Sequence, residues 1–277
     1  MQGAGDALLS FADPPVTEVV VGVSFRPLTS LTAPHLGLLW RSRLEETFPK
    51  VEEHPPYDLP VERFDSPPQG SGFSLRLGQS LPSPRIWFLK EDGQELLQVQ
   101  KDWFACNWRK VTPDAEYGRW PSRREAFQRW FSAFEAFIQE EKLGNISTIQ
   151  CEVTYINHIF AAGVWGDHGD LPKVLLLASG KATEFLPKPE QIQLRGQYLI
   201  AGEDGGPVGR LHVDVIPAFR REDNAPIFVL NLTARGILEG EGLPGIMAFM
   251  DRGREWIVRG FSDLTSSAMQ EAWGRNG

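Results

Sequence analysis

The chain has 277 residues, 42% of them hydrophobic and 23% charged, which is enough for a large core in one domain or in two closely packed halves. A net charge of −8 at pH 7 argues against general nucleic-acid binding, which calls for a basic face. Cys106 and Cys151 are too few for a disulfide framework and lack CxxC spacing, so they read as small core residues in a reducing compartment. No window approaches the roughly 20 apolar residues of a membrane span, and Met1 to Ala12 has no signal-peptide pattern. A cytoplasmic protein is expected, with no membrane contact.

Residues 1–13 read as a flexible lead-in. Val16 to Phe25 alternates as a strand, with Val19, Val21, Val23 and Phe25 on one face and Glu18, Val20, Gly22 and Ser24 on the other. A helix is predicted from Pro34 through Leu36, Leu39, Trp40 and Leu44, stopping at Pro49. Residues 54–84 hold seven prolines and read as irregular, with one short strand at Gly72–Leu77. A hairpin follows: Arg85–Leu89, a turn at Glu91-Asp92-Gly93-Gln94, then one strand over Glu95–Trp108. The second helix carries a stripe of Phe127, Trp130, Phe131, Phe134 and Ile138, with a capping box expected at Ser122 and Glu125 and a C-terminal cap at Gly144.

A long strand covers Ser147–Phe160. Residues 163–190 form a connector, and three more strands follow at Gln191–Ala201, Val208–Pro217 and Pro226–Thr233. A last helix begins near Pro244 and either continues to Trp273 or breaks near Ser262. The pattern predicts an α+β fold of antiparallel sheets packed by long helices, in two similar-sized strand-then-helix halves, 14–162 and 191–277. A diverged duplication would fit, although no sequence self-similarity shows it.

Known catalytic signatures are absent: no Walker A, GxGxxG, HExxH, GxSxG or paired CxxC. The stretch Asp167-His168-Gly169-Asp170 falls short of the three or four converging ligands a metal needs, so no metal and no cofactor are assigned. A Cys106 nucleophile with His158 or His212 as base has no support in spacing.

Three features stand out. Glu18 is a carboxylate among valines, costly if buried without a partner. In Gln150–His158 one face carries Gln150, Glu152, Thr154, Ile156 and His158, while the other carries Cys151, Val153, Tyr155 and Asn157. Glu18 and Glu152 could pair with each other or with Arg109 or Arg195, in a groove or pocket that includes Asn107 and Asn157. The alternative is the solvated face of an antiparallel sheet. The third feature is a basic island, with six basic and three acidic residues from Arg109 to Arg129. Trp108, Arg109, Arg119, Trp120, Arg123 and Arg124 are its candidate partner-binding residues, since Trp and Arg are enriched at binding hot spots and can also stack on bases. Arg123 and Arg124 at a helix start oppose the helix dipole, which hints at an anionic partner, within the chain or outside it.

Pro14-Pro15-Val16-Thr17-Glu18-Val19-Val20, Asn107-Trp108-Arg109, Gln150–Asn157 and Phe261–Thr265 through Trp273-Gly274 together resemble a sporadically distributed family of bacterial proteins. The resemblance implies a cytoplasmic accessory protein of mobile or antiviral-defence gene sets and carries no catalytic residue over. It adds only that Glu18, Asn107, Arg109, Glu152 and Asn157 matter for the fold or a shared surface. The leading expectation is a non-enzymatic, protein-binding regulatory component of a multi-component bacterial system. An enzyme or small-ligand binder with a pocket between the halves is the alternative, and nucleic-acid binding through the basic island is the third.

Overall fold

The computed structural model describes residues 8–57, 60–64, 84–178 and 184–276. Ser10–Phe11 forms a short strand, β1, and Val16–Phe25 forms β2. Pro34 lies in the first turn of α1 (Ala33–Leu39), which widens into one π-helical turn over Trp40–Leu44. Strands β3 (Lys50–His54), β4 (Arg85–Leu89), β5 (Glu95–Gln100) and β6 (Trp103–Arg109) precede the helix α2 (Trp120–Glu140) and strand β7 (Thr148–Ile159). After β7 come α3 (Leu171–Val174), β8 (Leu194–Ala201), β9 (Pro207–Phe219) and β10 (Pro226–Gly236). Last are α4 (Gly242–Leu264), α5 (Ser267–Ala272) and β11 (Arg275–Asn276). The fold is α+β.

Several boundaries depart from the sequence reading. The single strand expected over Glu95–Trp108 is two, because the chain turns at Lys101-Asp102 without a glycine to mark it. Ser122 is no cap: α2 starts at Trp120, Pro121 occupies its first turn, and the Ser122 hydroxyl donates to the Arg119 carbonyl at 2.8 Å. At its far end Lys142 (φ 55) takes the left-handed conformation directly after the C-cap, and the expected Gly144 follows two positions on, also at positive φ (125). The last helix ends at Leu264, and Ser266 caps α5 by accepting from the Met269 N–H. Ser10–Asp13, read as lead-in, are held by the chain end: β1 pairs with β11, and Ala12 and Asp13 donate to the Gly274 and Trp273 carbonyls. The strand expected at Gly72–Leu77 lies outside the described residues.

Nine strands form one sheet in the order β3-β4-β5-β6-β2-β7-β10-β9-β8, every neighbouring pair antiparallel. The order reads outward from the centre in the same way on both sides. The first strand of each half (β2 or β7) is innermost and the last (β6 or β10) lies next to it, with earlier strands further out. Each half then closes with a long helix, α2 or α4. An approximate two-fold axis perpendicular to the sheet, between β2 and β7, relates the two topologies. Both long helices therefore cover the same face.

That face holds the core. Val19, Val21, Val23 and Phe25 of β2, Phe104 of β6, Val153 of β7 and Leu232 and Ala234 of β10 are buried there. Onto them α2 brings Phe127, Phe131 and Phe134, and α4 brings Ile246, Phe249, Met250 and Ile257, the 3.6-residue stripes that bound each helix to the sheet. Burying one such side chain is worth about 2 kcal/mol. The opposite face is polar, as the alternation requires. At its centre Gly22 lets the Trp103 ring lie flat across β2, since a Cβ there would stand 2.6 Å from that ring.

Candidate functional site

A cavity of about 630 Å³ opens on the helix-covered face, where the two halves meet. Its floor is the end of the sheet, with Trp108 of β6, Tyr155 and Asn157 of β7 and Leu232 of β10. α4 forms one wall with Arg254, Ile257, Val258 and Phe261, and the chain from Lys110 to Pro121 and the strand-like entry Ser10–Val16 form the others. A β-bulge shapes this end of the sheet: register slips between Val16 and Glu18, with the Thr17 hydroxyl donating to the Ile156 carbonyl at 3.2 Å.

Arg254 stands in the cavity wall for a reason legible in α4. It occupies position 254 of the series Met250, Arg254, Ile257, Phe261, which is the buried stripe, so helical periodicity turns a guanidinium inward among apolar side chains. Its Nε is sealed from solvent and has no hydrogen-bond partner, and among the described residues no carboxylate pairs with it. Beside it the Tyr117 and Tyr155 hydroxyls bond to each other at 2.8 Å. Burial pushes the Tyr155 hydroxyl well above the ordinary phenol range, and Tyr117 raises it further, while the charge of Arg254 and its side-chain hydrogen bond to Tyr155 oppose the rise. Burial likewise raises Tyr117. Both phenols stay protonated at neutral pH. They serve as hydrogen-bond donors and polar wall rather than as bases.

The basic island is divided by the fold. Trp108, Trp120 and Trp130 are all buried, so the three indoles present no stacking surface on the outside of the protein, and Trp108 and Trp120 reach space only where they line the cavity. The Trp120 indole N–H donates to Asp251 Oδ1 at 2.8 Å, and Arg124 pairs with the same carboxylate at 3.0 Å. Arg123 pairs with Glu95 at 2.6 Å. The anionic partners of these two arginines are within the chain. Arg119 is left exposed at the first turn of α2 and at the cavity rim.

The polar face carries the other candidates. Register sets Glu18 opposite Arg109 on β6 and opposite Ile156 on β7, while Glu152 lies beside Gly22 and opposite Arg235. Glu18 and Glu152 share a face but stand four residues apart along the strands, about 13 Å, and form no carboxylate pair. Glu18 Oε1 accepts from Asn107 Nδ2 at 2.6 Å, Asn107 Oδ1 from Gln98 Nε2 at 2.9 Å, and Gln98 Oε1 from Arg85 at 3.1 Å, a relay across four strands. Burial raises the Glu18 carboxyl, against the Asn107 bond and the Arg109 charge. Arg85 and Arg109 also stack on Trp87, at 5.5 Å each, and Arg109 donates to the Gly93 carbonyl. Arg195 pairs with Asp214 at 2.5 Å, not with Glu18 or Glu152. Asn157, expected in this network, is on the opposite face, donating to the Leu230 carbonyl at 3.0 Å.

Residues 60–64 lie as a strap over the second half of this face. Gln150 fastens it from both ends of its amide, accepting from the Glu62 N–H at 3.1 Å and donating to the Pro60 carbonyl at 2.7 Å. The Glu62 carboxylate receives Arg210 at 2.6 Å and His212 at 2.6 Å, with Arg235 at 3.4 Å, and Arg235 donates to Glu152 at 2.6 Å. Burial alone would raise the Glu62 carboxyl, but the His212 and Arg210 hydrogen bonds outweigh it and hold it at about 2.

Other chemistries find no geometry. Cys106 is on the helix face of β6 and His158 and His212 on the polar face, so the sheet itself separates that thiol from either base. Burial pushes both thiols far up. His168 is turned to the Ala218 and Ile227 carbonyls, and Asp167 and Asp170 pair with Lys188, so this turn is closed by its own contacts. Among the described residues no group of three His, Cys, Asp or Glu could hold a metal, and no helix is long and apolar enough to cross a membrane.

Arg254, Tyr117, Tyr155 and the Glu62 network were not singled out by sequence reasoning. The arginine in an apolar stripe was the available signal for the first, whereas Glu62 lies in an irregular, proline-rich stretch where no periodicity operates. No family model, no curated protein and no solved structure matches the chain.

Proposed function

We propose that the chain is a small-ligand-binding module whose site is the cavity between its two halves. The observation that carries this is the 630 Å³ cavity itself, lined by aromatic side chains and by an inward-facing arginine with a donor left unmade. The volume falls in the range of about 300–1,000 Å³ usual for ligand pockets, and a seam between two structural units is a common place for one. The wall supplies donors in fixed positions and no group poised to exchange a proton near pH 7, which favours binding over catalysis. The Trp/Arg island offers less support for protein or nucleic-acid capture, since its indoles are buried and two of its arginines are already paired. A regulatory role in a multi-component bacterial system, as the family resemblance implies, would then work through ligand occupancy of the cavity.

The test is saturation-transfer NMR with a fragment library that includes acids, amines and neutral rings, run on the wild-type chain and on Val258→Trp, which places an indole in the cavity. Hits that compete with one another and vanish in Val258→Trp are expected. Equal hit lists for the two proteins, or none for the wild type, overturn the reading.

A further inference from the structure

We infer that the ligand is an organic anion with a flat apolar body, its carboxylate or similar oxyanion seated on Arg254. The inference rests on the cavity being a binding site and adds the chemistry it selects.

Three independent observations converge. A guanidinium carries its charge at every accessible pH, and taking it out of water is costly unless an anion or several acceptors receive it. On the strapped polar face the protein meets that requirement: Arg210 and Arg235 each reach a carboxylate. At the cavity it does not. Arg254 has no carboxylate partner among the described residues, and its sealed Nε donates to nothing. The two other cations of the lining, Lys110 and Arg119, likewise have no ion-pair partner among the described residues. The carboxylates at the rim, Asp13, Asp114 and Glu116, are exposed to solvent and leave Arg254 unpaired.

The second observation is the helix end. α2 is 21 residues long, and its first residues, Trp120 and Pro121, line the cavity. Its first turn has no acidic side chain, and the N-cap Arg119 makes no side-chain cap. The positive end of the helix dipole therefore adds to the field of Arg254 rather than being neutralised locally. The third is the wall itself. Trp108, Tyr117, Trp120, Tyr155, Phe11 and Phe261 offer flat surfaces around that charge, and the protonated phenols of Tyr117 and Tyr155 offer an O–H beside it. A planar body with one oxyanion satisfies all three together. A neutral ring leaves the guanidinium with the Tyr155 oxygen but no anion, and a cation is repelled by it.

Isothermal titration calorimetry with a matched pair of probes, naphthalene-2-carboxylate and its neutral amide, tests the inference on the full chain. The carboxylate should bind one to one and at least tenfold more tightly than the amide. Arg254→Met should erase that difference, weakening the carboxylate at least tenfold while leaving the amide unchanged. Arg254→Lys, which keeps the charge, should preserve the preference and guards against a folding artefact, with circular dichroism checked for both. Equal affinity for the two probes, or a carboxylate affinity indifferent to Arg254→Met, overturns the anion while leaving the cavity reading intact. Binding of both probes that survives Val258→Trp, or no binding of either, overturns the cavity reading and the anion with it.

Discussion

Two sites, one on each face of the sheet, treat cations differently, although the Nε atoms of Arg85 and Arg109 on the polar face are sealed without a partner as well. On the polar face Arg210 and Arg235 are locked into a network with Glu62, Glu152 and His212, and the strap that brings Glu62 is itself fastened by Gln150. On the helix face Arg254 looks into a cavity with its Nε unmet. A satisfied buried network is a structural device, because every donor already has its acceptor and nothing further is gained by a ligand. An unsatisfied one stands at a free-energy cost that a ligand can remove. On the proposed reading the first is a structural charge and the second a binding charge.

That contrast can be broken most sharply at Glu62. Glu62→Gln should destabilise the protein by about 3 kcal/mol, since it leaves Arg210 and Arg235 partly uncompensated, and urea denaturation reads this directly. An unchanged urea midpoint would show that the strap contributes nothing to holding the sheet. The same variant should change the acid response. With its folded carboxyl at about 2 against an ordinary 4.5, Glu62 contributes stability that is fully present above pH 4.5 and is lost as pH falls toward 2. Glu18, raised by burial, acts with the opposite sign: its native carboxyl takes up a proton first, so stability gains as pH falls through its folded pKa toward 4.5. Urea midpoints between pH 7 and 2 should lose the acid decline in Glu62→Gln and lose the opposing rise in Glu18→Gln.

Gly22→Val should follow in size, at about 2 kcal/mol, because the new side chain meets the Trp103 ring and Ala105. Tyr155→Phe removes the hydroxyl that meets Tyr117 and Arg254 at the cavity and should cost about 1 kcal/mol. Smallest of all, Arg124→Ala should change the midpoint by less than about 0.5 kcal/mol, because its pair with Asp251 is half-exposed. A larger loss there would mark the island as part of the scaffold.

Much of this architecture was legible in the chain. Alternation over Glu18–Phe25 and in Gln150–His158 assigned those side chains to the correct face, and the stripe of α2 named most of its buried residues. Turns without glycine or proline were harder: Lys101-Asp102 splits a strand with no local signal, and the turn after α2 takes positive φ at Lys142 before it does so at Gly144. The exposed edge strand β3, with its run of charges, carried no alternation to be read.

Local periodicity thus determined the elements and their inward faces, because a side chain's direction follows from a repeat of two or 3.6 residues. Which charge meets which was decided only in three dimensions. Glu62 reaches Arg235 across 173 positions and Trp120 reaches Asp251 across 131. Strand register and helix docking set those meetings and opened the cavity, and neither is written in any short stretch of the chain.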